Sequence, residues 1–69
     1  MYKNKLPAYR KLAGLSQADM ARALGLSRQR YNAYDQGKVH PRKYLEKILE
    51  VIRERVSKDI DLHDIFEPS

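Results

Sequence analysis

Residues 15–37 read LSQADMARALGLSRQRYNAYDQG, and the punctuation of that stretch leaves the backbone few choices. Ser16 is placed to cap a helix by accepting from its orphan amides, and Asp19 three residues on completes a capping-box-like pair. Met20, Ala21 and Leu24 then fall on one face. Gly25 is the residue expected where a chain leaves a helix through positive φ, and Leu26 follows it as the buried plug of the turn. Ser27 caps a second helix in which Tyr31 and Tyr34 share the inward face, while Arg28, Gln29, Asn32, Ala33 and Gln36 share the outward one. The stretch therefore predicts two short helices joined by a tight turn.

The outward face of the second helix carries unusual chemistry. The first turn of a helix is the positive end of its macrodipole, so Arg28 and Arg30 stand where a purely structural sequence would prefer carboxylates, each at a cost of roughly 0.3–1 kcal/mol. An anionic partner would offset that cost. Arg, Gln and Asn are also the side chains that form paired hydrogen bonds to guanine and adenine edges, and Ala33 is small enough to touch a thymine methyl. A merely solvated polar face is the alternative.

These residues resemble the phage repressor and Cro helix-turn-helix family, the XRE class, over about residues 6–66. The family's pattern has an Arg in the first helix, LSQ, an Ala-x-x-x-Gly turn, Ser opening the recognition helix, and Glu-x-Gly closing it. Here it reads Arg10, Leu15-Ser16-Gln17, Ala21 to Gly25, Ser27, and Asp35-Gln36-Gly37. Asp35 replaces the usual Glu, and Tyr31 stands where Ile or Val is usual. The resemblance implies a partly buried salt bridge between Arg10 and Asp35, with the helix-turn-helix at 17–36. It further implies a sequence-specific, double-stranded DNA-binding transcriptional regulator, most simply a repressor. Residues 27–36 would lie in the major groove. Arg28, Gln29, Asn32 and Ala33 would read bases. Gln17, Lys38 and Arg42 would hold phosphates, with Arg30, Gln36, His40 and Lys43 as secondary phosphate contacts. An antitoxin or restriction-modification controller would share this fold. A protein-interaction module on the same scaffold is disfavoured by an outward face without apolar anchors.

Charge supports a polyanionic partner. The net +5 is unevenly spread: residues 1–45 hold ten Lys/Arg against two acids, whereas residues 46–69 hold four against seven. The basic part contains the two-helix stretch. A membrane surface is disfavoured because no amphipathic stripe rich in Phe or Trp accompanies the basic residues. RNA is disfavoured because the chain lacks aromatic RNP-type strands. There is no cysteine, and hence no disulfide or thiolate metal site, as fits a reducing cytoplasm. No segment reads as a membrane span or signal peptide, so a cytoplasmic, nucleoid-associated protein is expected.

The pattern along all 69 residues predicts a single all-α domain of five helices without strands. The first helix covers 6–13, with Leu6, Tyr9, Leu12 and Ala13 inward and Pro7 in the first turn, where its missing amide proton costs nothing. Lys3 and Lys5 precede it as a short basic arm, either frayed or touching phosphate. Pro41 opens a helix to about residue 56 whose core stripe is Leu45, Ile48, Leu49, Ile52 and Val56, with Tyr44 and Val51 off it, either widening the core contact or forming a partner surface. Glu46, Glu50 and Glu54 form a solvated row on it. A last helix, capped by Asp61, carries Leu62, Ile65 and Phe66. In the family this ending packs on the fourth helix and often joins a twofold interface, though in some members it only completes the monomer core, so these three are dimer-interface candidates in the 41–66 segment. A homodimer on a near-palindromic operator is expected for so small a core.

Catalysis finds no support. His40 and His63 lack metal-ligand or triad spacing, and the glycines do not form a phosphate cradle. No cofactor, metal or catalytic residue is expected. The tyrosines read as amphipathic core residues with wet hydroxyls.

Overall fold

A computed structural model describes the backbone of residues 2–68 and the side chains of residues 3–67. Five α-helices follow one another: α1 (Leu6–Leu12), α2 (Gln17–Leu24), α3 (Arg28–Asp35), α4 (Leu45–Arg55) and α5 (Leu62–Ile65). The core is a single cluster built from Leu6, Met20, Tyr31, Ile48, Ile52 and Ile65, all fully enclosed, with Ala21, Leu24, Tyr34, Ile60 and Phe66 around them.

The two caps of the 15–37 stretch form as its residues dictate. Ser16 Oγ accepts from the Asp19 amide and Asp19 Oδ2 from the Ser16 amide, each at 3.0 Å. Ser27 Oγ accepts from the Arg30 amide at 3.2 Å. Between them Gly25 takes φ of +72°. The Leu26 amide donates to the Ala21 carbonyl at 2.8 Å and the Gly25 amide to Arg22 at 3.1 Å, the paired bonds of a Schellman ending. Leu26 itself is half-buried, not a sealed plug.

The all-α prediction needs one amendment. Two short strands, β1 (Tyr2–Asn4) and β2 (Phe66–Pro68), pair antiparallel and bring the two ends of the described chain together. Lys3 lies opposite Glu67 and Asn4 opposite Phe66, and Lys5 extends the contact through its amide to the Ile65 carbonyl at 2.8 Å and its ammonium to Glu67 at 2.6 Å. The arm's backbone is thus paired and not frayed, while the Lys3 side chain is exposed. Runs of three residues, one of them ending in proline, carry no alternation from which a strand can be read.

Two further expectations change. Leu12, expected inward, is 67% exposed, because the buried stripe of α1 is Leu6, Arg10 and Ala13 and Leu12 lies well around the helix from it. The segment after Pro41 begins as a tight 3₁₀ turn at Arg42–Tyr44, with α4 starting only at Leu45. Tyr44 and Val51 pack against the core as partly buried neighbours, with the Tyr44 ring 5.9 Å from that of Tyr34. Tyr9, Tyr31, Tyr34 and Tyr44 all join or flank the core, while the side chain of Tyr2 lies outside the described residues.

Candidate nucleic-acid interface

The candidate interface is assembled on α3, whose eight residues turn Tyr31, Tyr34 and Asp35 into the protein. Arg28, Gln29, Arg30 and Gln36 are left exposed, and Asn32 and Ala33 half-exposed. No acid stands in the first turn of α3, so the partial positive charge of its amides adds to that of Arg28 and Arg30 instead of being neutralised. Arg28, Gln29 and Asn32 converge with Gln17, the first residue of α2, around a shallow open notch of about 440 Å³. Polar groups from the starts of two helices therefore meet at one place.

Behind that surface lies an ionic cluster. Arg10 and Asp35 are only 8% and 4% exposed. The guanidinium donates from Nε to Asp35 Oδ1 at 3.0 Å and from Nη2 to Oδ2 at 3.3 Å, a two-pronged pair. Arg10 Nη1 also donates to the Leu15 carbonyl at 2.8 Å, tying the α1–α2 turn into the same group. The shorter aspartate in place of glutamate is met by Tyr31, whose hydroxyl donates to Oδ1 at 2.8 Å, and by Gln17, whose Nε2 donates to Oδ2 at 3.1 Å. Burial alone pushes the Asp35 carboxyl up, but the bonds from Arg10, Tyr31 and Gln17 outweigh it and hold it below the ordinary aspartate range. Burial and the bond to Asp35 push the Tyr31 phenol far up, so it remains a donor. The hydrogen bonds that Arg10 donates to Asp35 raise the Arg10 value further.

The other end of α3 is fixed by a residue outside the motif. Asn4 Nδ2 donates to the carbonyls of Asp35 at 2.8 Å and Tyr34 at 3.3 Å, while its Oδ1 accepts from the Leu6 amide. Gly37, at φ +75°, lies against this side chain, and an added Cβ would stand 3.4 Å from Asn4 Nδ2. Nothing in the sequence marked Asn4. The Tyr31–Asp35 bond, by contrast, joins residues four apart on one helix, a spacing at which side chains are neighbours.

Lys38, Arg42 and Lys43 are exposed beyond α3. Gln17 is half-buried with one amide hydrogen committed to Asp35, so only its second N–H is left for a phosphate. His40 is half-buried, its ring packed edge-on against Phe66 with centroids 5.5 Å apart. Ile65 is fully enclosed and Phe66 is 7% exposed, so the tail's apolar face completes the protomer's own core, leaving only Leu62 half-buried among the three interface candidates. Among the described residues no group of His, Asp or Glu is arranged to hold a metal ion, and no helix is long and apolar enough to cross a membrane.

Comparison with known proteins accords with this geometry. A helix-turn-helix family model matches residues 8–57, from within α1 to just beyond α4. The chain belongs to the XRE/Cro-like helix-turn-helix family. This helix-turn-helix chain is also similar to an uncharacterized HTH-type transcriptional regulator of Methanocaldococcus jannaschii, with 51% identity over 39 residues, 56% of this chain. It spans 59% of that relative's length. No solved structure matches it. The family is one of DNA-binding transcription regulation, and the matched residues span α2 and α3.

Proposed function

We propose that this helix-turn-helix protein is a sequence-specific double-stranded DNA-binding regulator of transcription, most simply a repressor, that lays α3 in the major groove. The observation that carries this reading is the set of exposed donors, Arg28 and Gln29 with Asn32 beside them, at a helix start that has no acid to neutralise it. Arginine and amides at such a place match the edges of guanine and adenine. Lys38, Arg42 and Lys43 flank α3 on its C-terminal side and serve phosphates, fixing orientation without reading sequence. The name of the archaeal relative points the same way.

Binding as a homodimer on a near-palindromic site follows from the small core and from the usual geometry of such regulators, whose recognition helices sit about 34 Å apart. The protomer measures 27 × 27 × 19 Å, a size at which two copies fit side by side at that spacing. Ile65 and Phe66 are enclosed within the protomer, so a contact between copies through the tail would rest on Leu62, which is half-buried. Selection of bound sequences from a random duplex pool tests the reading. An inverted repeat with half-sites one helical turn apart is expected. Recovery of sequences with no shared pattern would overturn it.

A further inference from the structure

The Asp35 carboxylate accepts four hydrogen bonds: Oδ1 from Arg10 Nε and Tyr31 Oη, Oδ2 from Arg10 Nη2 and Gln17 Nε2. An ionised carboxylate offers about four lone-pair sites and no donor, so this one is saturated. Two consequences follow for Gln17. Its amide cannot be flipped, because only the NH₂ end can face an acceptor. One of the two N–H groups is consumed inside the protein, which leaves a single N–H and the carbonyl Oε1 for the notch shared with Arg28, Gln29 and Asn32. A glutamine free in solution loses rotamer freedom when it is fixed, and here folding has already fixed it through the bond to Asp35.

We infer that Asp35 is a positioning residue for DNA binding, acting through Gln17: the buried carboxylate presets the Gln17 amide so that its remaining N–H docks one backbone phosphate at the mouth of the notch. The inference rests on the proposed duplex-binding function and adds to it a link from the ionic cluster to the DNA register. Arg10 and Tyr31 hold the carboxylate, the carboxylate holds Gln17, and Gln17 sets where the start of α3 meets the backbone. Glutamine carries no charge, so the contact displaces no counterion and leaves the salt slope of binding unchanged. That separates it from the contacts of Lys38 and Arg42.

The test uses operator duplexes carrying a neutral methylphosphonate at one phosphate at a time, titrated with wild-type protein, Gln17→Met, Asp35→Asn and Arg28→Ala. In the wild type, one phosphate in each half-site is expected to weaken binding about fivefold when neutralised, the worth of one hydrogen bond of about 1 kcal/mol. Gln17→Met and Asp35→Asn should both become indifferent to that phosphate while remaining sensitive to the others, and both should keep the wild-type salt slope. If Asp35→Asn retains sensitivity to the phosphate that Gln17→Met loses, the positioning role is refuted. The duplex-binding reading would survive that result, since Arg28→Ala should still relax base preference. If no methylphosphonate alters wild-type binding and no duplex is preferred, the reading itself falls. Asp35→Asn also deprives Arg10 of its counter-charge, so its folding is checked by urea titration. Should it be unfolded, the side-chain amide of Gln17 in the wild type decides by NMR. One slowly exchanging proton whose shift follows protonation of Asp35 supports the role; two fast-exchanging, solvent-like protons contradict it.

Discussion

Arg10 and Asp35 show how a charged pair comes to occupy the place of core residues. Taken alone, each is costly to bury, and removing either leaves its partner enclosed and unmatched, a loss of about 3–5 kcal/mol. That is a large share of what a domain of this size holds in reserve. Arg10→Met and Asp35→Asn should therefore each lower stability severely in urea, and the double variant should lose much less than their sum; additive losses would show that the pair is not coupled. The acid dependence follows from the same cluster. Because the folded carboxyl of Asp35 lies below its ordinary range, its stabilisation is complete above about pH 4 and disappears as pH falls through the lower folded value. Urea midpoints measured from pH 7 down to pH 2 should fall steeply for the wild type and more gently for the double variant.

At the scale of elements, the helix-turn-helix was legible in the sequence because its signals are local. Ser16, Asp19, Gly25 and Ser27 each act within four residues of themselves, through caps and a turn. The β1–β2 ribbon was not legible, because it pairs residues some sixty positions apart and neither strand has a pattern of its own. Leu12 misled for a related reason. Apolar spacing marked it as core, but the position that α1 buries is taken by Arg10, whose burial depends on a carboxylate twenty-five residues away. The fourth helix was placed correctly in its stripe and wrongly at its start, where the enclosed Pro41 leads into a 3₁₀ turn. The ribbon also has a consequence for α3, since it carries the Asn4 side chain that donates to the last α3 carbonyls. Asn4→Ala should cost about 1 kcal/mol. Gly37→Ala, which forces a Cβ into positive φ beside Asn4, should cost about 1–2 kcal/mol. Thermal melts of the two variants check both, and unchanged melting temperatures would show that the ribbon does not hold the end of α3.

For the whole molecule, the division of charge matters more than the net value. Residues 1–45 hold ten basic residues against two acids, with the acidic excess confined to the remainder, a division that suits the proposed polyanionic partner, and Glu46, Glu50 and Glu54 on α4 are exposed. Affinity for any duplex should then fall as salt rises. Lys38→Ala should weaken binding to all duplexes alike and reduce the salt slope by about one unit, because one fewer counterion is displaced. An unchanged slope would remove Lys38 from the contact surface.

The central claim is that α3 reads base sequence, and competitive titration of the preferred duplex against a full set of single base-pair variants tests it most directly. Wild-type protein, Arg28→Ala and Gln29→Ala should be compared at one salt concentration. The account predicts that each substitution costs about 1–3 kcal/mol on the preferred site and relaxes preference at particular base pairs, with a smaller loss on unrelated DNA. Variants that bind more weakly yet keep the wild-type preference at every base pair would contradict it.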